Sequence, residues 1–150
     1  MGNTNKKYLL ILSCSKTKKN VDRAPAIELY DGMYYKVLKK NYPTNANLDI
    51  LILSAKYGLI ESNEIIDYYD QLMTNKRAEE LKDNVKSKLK EVLKNNNYDT
   101  IFINLGKVYE KAFDDECREL LENYNTHWIG GMIGERLQQL KEWLISINNK

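Results

Sequence analysis

Short, continuous apolar runs alternate along this chain with apolar residues at helical spacing. KYLLILSC (7–14), LDILILSA (48–55) and YDTIFINLG (98–106) are runs of the first kind. Such runs suit strands buried on both faces, and strands are expected over 7–13, 48–54 and 100–104. Helical patterns lie between them. In 24–42, Ile27, Tyr30, Tyr34, Val37 and Leu38 fall at helical spacing, and Pro25 suits a first turn. In 75–97, Leu81, Val85, Leu89 and Val92 share one face and lysines the other, while in 109–124 the inward set is Phe113, Cys117, Leu120, Leu121 and Tyr124. Helices are therefore predicted over 26–40, 76–95, 110–123 and 133–147. HWIGG (127–131) reads as a short strand or turn, and 59–73 has no clean period, which makes it an excursion with room for one short helix.

Strands alternating with helices require crossover connections. The expected fold is α/β: a three-layer arrangement with a mostly parallel central sheet of about four strands and helices on both faces. No linker or repeat divides residues 1–150, so they read as a single domain. In such sheets, ligands bind beyond the carboxyl ends of the strands. The segments there are SCSKTKK (13–19), SAKYG (54–58), NLGKVY (104–109) and IGGMIGER (129–136). On a parallel sheet they share one rim. That rim carries Lys16, Lys18, Lys56, Lys107 and Arg136, the hydroxyls of Ser13, Ser15 and Ser54, and free N–H groups at helix starts. Such a rim suits an anion, with phosphate or a nucleotide the natural candidate.

Composition narrows this picture. Net charge is +2, from 23 basic and 21 acidic residues, which is no strong argument for nucleic acid or membrane, although local patches still matter; the partner expected is an anionic small molecule or nucleic acid. No apolar stretch reaches membrane-spanning length and no signal segment is recognisable, so no membrane partner and a cytoplasmic location are expected. One histidine and two cysteines cannot build an ordinary zinc cage, so no metal is expected, and no cofactor is implied. A reducing compartment with free thiols follows from the same count.

Each candidate also has a plainer reading. Any one lysine can be a solvated loop residue. GGMIG can be a tight turn against the sheet; it lacks the spacing of a dinucleotide fingerprint, and SCSKTK lacks the glycines of a P-loop. Cys117, on an apolar helical face, reads as core. Cys14 lies among Ser13, Ser15, Lys16 and Lys18. Nearby cations favour a thiolate, so it is either a nucleophile or a small residue buried beneath the loop. The excursion carries Glu61, Glu64, Asp67 and Asp70 beside Tyr68 and Tyr69. A carboxylate there could serve as acid/base, or the segment is an exposed acidic loop. His127 reads as structural.

SCSKTK, APAIELYDG, LILSAKYGLIESNEIIDYYDQLM and the closing GGMIGERLQQLKEWL together resemble a family of small uncharacterised domains of the YaaA-like superfamily. The stretch LSAKYGLI…EIIDYYDQLM is similar to the strand-turn-loop of the peroxide-stress YaaA proteins. A Cys with a Lys soon after, then LY opening a helix, distantly resembles the Cys-Lys-Tyr motif of archaeosine synthases, which modify a deazaguanine base in tRNA. The first likeness runs nearly end to end; the other two are partial. The resemblance implies an α/β fold, a cationic pocket and a connection to nucleic acids, bases or nucleotides. Residue by residue it points at Cys14, Lys16, Ser54, Lys56, Tyr57, Gly58 and Asp70.

The resulting expectation is a small enzyme acting on a nucleotide, nucleobase or modified nucleic acid, either a transferase or a glycosidic-bond hydrolase. Asp70 would be the acid/base and Cys14 a nucleophile. Ser13, Ser15, Lys16, Ser54, Lys56, Tyr57, Gly58, Lys107 and Arg136 would bind the ligand. The alternative is a non-catalytic DNA- or RNA-binding module in stress response or phage defence. A third reading, a peroxide sensor, needs a resolving thiol that Cys117 is too buried to supply.

Overall fold

The computed structural model describes residues 6–148. A five-stranded sheet forms the centre, built from β1 (Lys7–Ser13), β3 (Asn47–Ser54), β4 (Gly58–Glu61), β6 (Tyr98–Asn104) and β7 (Asn125–Trp128). Their spatial order is β4-β3-β1-β6-β7. β1 pairs in parallel with β3 and with β6, and β6 pairs in parallel with β7. Only β4 runs antiparallel, folding back on β3. β2 (Arg23–Pro25) and β5 (Ile65–Asp67) form a separate antiparallel pair, clamped by an Arg23–Asp67 ion pair at 2.8 Å.

The apolar runs become strands because alternate residues enter two different cores. Leu9, Ile11, Leu51, Leu53, Ile101 and Ile103 join Leu81, Val85 and Leu89 of α3 (Asn75–Asn95) and Cys117 and Leu121 of α5 (Asp115–Glu122). Leu10, Leu12, Ile50, Ile52 and Phe102 join Leu29 of α1 (Ala26–Leu29), Leu38 of α2 (Met33–Lys40), and Leu140 and Leu144 of α6 (Ile133–Asn148). A strand with core on both sides has no polar face to show, hence the unbroken apolar sequence.

Four expectations change. The sheet has five strands, not about four, because the segment after β3 returns as β4. The 59–73 excursion holds β4 and β5 and no helix. The helix expected over 26–40 is two, α1 and α2. Lys19 N–H bonds to Leu29 O and Asp31 N–H to Thr17 O, at 2.9 Å each. These bonds pull the backbone at 29–31 out of helical register to meet the loop after β1. The helix expected over 110–123 is also two, α4 (Lys107–Glu110) and α5. Asp114 interrupts it by capping α5, its side chain accepting from Cys117 N–H at 3.0 Å.

The Asp114 carboxyl is held down to about 2, first by its hydrogen bond from Lys86 and then by the Cys117 N–H. A depressed carboxylate stabilises the fold above its ordinary value of 3.8, and that contribution is lost as pH falls towards about 2. Asp114→Asn is expected to flatten the dependence of the melting temperature on pH in this window. An unchanged acid limb would show that the Lys86–Asp114 pair is energetically silent.

Gly58 adopts φ +80°, and a Cβ there would lie 2.2 Å from Asn84 Oδ1. That oxygen accepts Leu59 N–H at 2.9 Å, joining α3 to the hairpin. Gly58→Ala combines backbone strain with a clash and is expected to cost about 1–3 kcal/mol in urea unfolding. A loss well under that would mean that the turn relaxes freely.

Candidate functional site

The carboxyl ends of β1, β6 and β7 open onto a cavity of about 630 Å³. Its floor includes Leu12 and Asn104, near the ends of β1 and β6. Its walls come from Ser13–Thr17, from Gly106, Lys107 and Tyr109, and from the entries of α2 and α6. Local hydrogen bonds fix the loop after β1. Ser13 Oγ accepts Gly106 N–H at 3.0 Å, and Tyr35 OH donates to Ser13 O at 2.7 Å. Ser15 Oγ donates to Thr17 O at 2.6 Å and accepts Gly32 N–H at 3.2 Å. A Cβ on Gly32 would stand 2.8 Å from Ser15 Cβ, so this close approach requires glycine.

Lys16, Lys107 and Arg136 line the cavity, and among the described residues no acidic side chain does. Among the described residues none of the three enters an ion pair. Arg136 is instead held by neutral oxygens. Its Nε donates to Gly131 O at 3.0 Å, and its Nη1 donates to Asn104 Oδ1 at 3.1 Å and Leu105 O at 3.3 Å. The first turn of α2 has no side-chain cap, and Met33 and Tyr34 at its start face the same space. Cationic groups and uncapped N–H groups thus meet without a compensating charge, an arrangement that favours an anion.

Cys14 stands between this cavity and a cluster of phenols. Its Sγ lies 3.3 Å from Tyr109 Oη. Behind it, Tyr30 and Tyr69 share a hydroxyl bond of 2.6 Å, and Ser54 Oγ donates to Tyr69 at 2.9 Å. Lys18 Nζ lies 4.6 Å from the centre of the Tyr69 ring. Burial, and after it the proximity of Cys14, pushes the phenols of Tyr30, Tyr35, Tyr69 and Tyr109 far above their ordinary range. All four stay protonated. Tyr35 has already given its one proton to Ser13 O, and Tyr30 and Tyr69 share one between them, so Tyr109 is the potential donor towards negative charge developing at the thiol.

The expected site residues divide into two groups. Ser13, Cys14, Ser15, Lys16, Lys107 and Arg136 come together around the cavity; Ser54, Lys56, Tyr57, Gly58 and Asp70 do not line it. Lys56 and Tyr57 form the β3–β4 turn. Fully buried Ser54 accepts both of their backbone N–H groups, at 3.2 and 3.0 Å, and Arg77 grips Ala55 O and Lys56 O at 2.6 and 2.7 Å. The Lys56 side chain is exposed, with Nζ 5.3 Å from its neighbour's ring. Tyr57 OH donates to Asp67 O at 3.3 Å, and Asp70 is exposed beyond β5.

Sequence reasoning missed Tyr35, Asn104 and Tyr109. Asn104 and Tyr109 sit inside the quoted NLGKVY segment but bear no charge. Tyr35 reads as one more apolar position of a helix.

A family model, a family of unknown function designated DUF6884, matches residues 9–142. The chain belongs to this family. Every residue lining the cavity falls inside the span matched to DUF6884, so the cavity is part of the family domain. No curated protein matches the chain.

The two thiols differ in setting. Cys117 is fully buried in the core, and burial pushes it up to about 11. Cys14 is half-buried at the cavity. A soluble disulfide reagent is expected to modify Cys14 in the native protein and Cys117 only on unfolding. Mapping the labelled peptide checks this, and faster modification of Cys117 would reverse the assignment.

Proposed function

We propose that this protein is a small enzyme that binds a nucleotide, or a base carried as one, in the cavity at the carboxyl ends of β1, β6 and β7. The reading is carried by one observation: Lys16, Lys107 and Arg136 meet the uncapped start of α2 around a cavity of about 630 Å³ with no acidic side chain among the described residues of its lining. That size suits a ligand of nucleotide dimensions. Tyr34, Tyr35 and Tyr109 supply apolar and aromatic wall for a ring, while the cations take the anionic end. The likeness to YaaA-like domains supports the same connection to bases and nucleotides. The two separate cores support a three-layer form of the fold, with the cavity on its strand-tip rim.

Among the two reaction classes, group transfer is favoured over glycosidic hydrolysis. Hydrolysis of that bond commonly uses paired carboxylates, and Asp70 lies outside the cavity. Cys14 is the nucleophile available there, with Tyr109 as a neutral donor beside it. The alternative of a nucleic-acid-binding module has less support, because a broad basic surface is needed for it. The lysine-rich face of α3 is partly neutralised: Lys82, Lys86, Lys88 and Lys90 all pair with carboxylates.

Calorimetric titration with the common nucleoside monophosphates tests the reading. Binding is expected in the wild type. Lys107→Met should weaken it by about 1.5 kcal/mol, the lower end for a hydrogen bond to a charged group. Lys56→Met should leave it unchanged. A wild-type protein that binds none of them overturns the proposal, and equal losses in both variants would move the site to the β3–β4 turn.

A further inference from the structure

Asn104 is only 3% exposed, and its Nδ2 is buried without a hydrogen-bond acceptor. Its orientation is fixed by chemistry. Oδ1 accepts from Arg136 Nη1 at 3.1 Å, and turning the amide over would set two donors against each other. The amino group is therefore the end left unsatisfied. Native proteins rarely leave a buried donor in that state unless something else completes it. Asn104 ends β6 and lines the cavity.

Arg136 tells the same story from the other side. Its Nε and Nη1 are occupied by Gly131 O, Asn104 Oδ1 and Leu105 O, all neutral. Its Nη2 makes no hydrogen bond to the described residues. An aspartate at position 104 would have paired with the guanidinium and cancelled its charge. The amide positions Arg136 and leaves that charge available.

We propose that Asn104 and Arg136 form the subsite for the phosphate of the ligand, with Arg136 Nη2 and Asn104 Nδ2 as its donors. This rests on the nucleotide reading and adds to it which end of the ligand lies against β6. The terminal torsion of asparagine is soft, so a small rotation turns Nδ2 towards a phosphate oxygen. The fork of Arg136 supplies directional hydrogen bonds to it. Met33 and Ile133, 58% and 54% exposed at the entries of α2 and α6, then extend the wall that the tyrosines offer the ring.

The test compares four nucleoside monophosphates with their parent nucleosides, titrated against the full chain. The wild type is expected to bind at least one monophosphate tenfold or more tighter than its nucleoside. Asn104→Asp, which places a carboxylate against both Arg136 and the phosphate, should reduce that ratio to less than threefold. Arg136→Met should do the same, and Lys56→Met should preserve the ratio. Circular dichroism melting establishes that each variant is folded; should Asn104→Asp not fold, Arg136→Met decides alone. If the wild type shows the preference and the folded variants retain it, the phosphate lies elsewhere and the nucleotide reading survives. Equal binding of nucleoside and monophosphate by the wild type removes the phosphate subsite. If neither binds, both inferences fall.

Discussion

Parallel pairing of β1 on both edges is the constraint from which the rest of the arrangement follows. β1 is hydrogen-bonded to β3 on one side and β6 on the other. Its exit loop therefore leaves the sheet between two other strand tips. The loop cannot spread sideways, so it is tied upward, to α2 through Ser15 and Gly32 and to the start of α4 through Ser13 and Gly106. Those ties leave the space under the helix entries open. The cavity is what remains when a central strand ends and the helices that follow other strands converge on it.

Strand positions were legible because burial on both faces leaves an unmistakable apolar run. The β3–β4 turn was not. An apolar run followed by SAKYG has the same appearance whether the chain proceeds to a helix or doubles back. Only Gly58, with its positive φ, separates the two, and a glycine after a strand is compatible with either. That ambiguity groups Lys56 and Tyr57 with the cavity residues, whereas Asp70 is singled out by the acidic excursion and the resemblance. The break between α1 and α2 was hidden for a different reason. It is imposed by backbone bonds from the loop after β1, which no local periodicity records. The Asp114 cap at the start of α5 was visible in principle, as an acidic pair preceding an apolar stripe.

Ser54 nevertheless connects the two halves of the expected site. Its hydroxyl closes the β3–β4 turn and also donates to Tyr69, whose phenol adjoins Tyr30 and Cys14. A residue expected to touch ligand instead sets the neighbours of the thiol. The chemistry of the cavity is correspondingly a matter of neutral donors and unpaired cations. Protonated phenols stand on one side of Cys14, with Lys16, Lys107 and Arg136 around the opening. Among the described residues no proton-accepting carboxylate lies in the lining, so a reaction there would draw on thiol and hydroxyl groups.

The position of β1 also bears on how the protein is made. β1 finds its partners in residues 47–53 and 98–104, both later in the chain, so during synthesis its two edges are satisfied at different times. Pairing with β3 can begin once residues 47–53 have followed it. The other edge, a row of unpaired backbone groups on a strand with an apolar centre, waits until β6 has been synthesised. Non-local parallel pairing is slow to form, and an open apolar edge is a template for another chain. Until then, the β1 edge that β6 will cover is the one open to another strand, and α3 is the length of chain that separates the two pairings.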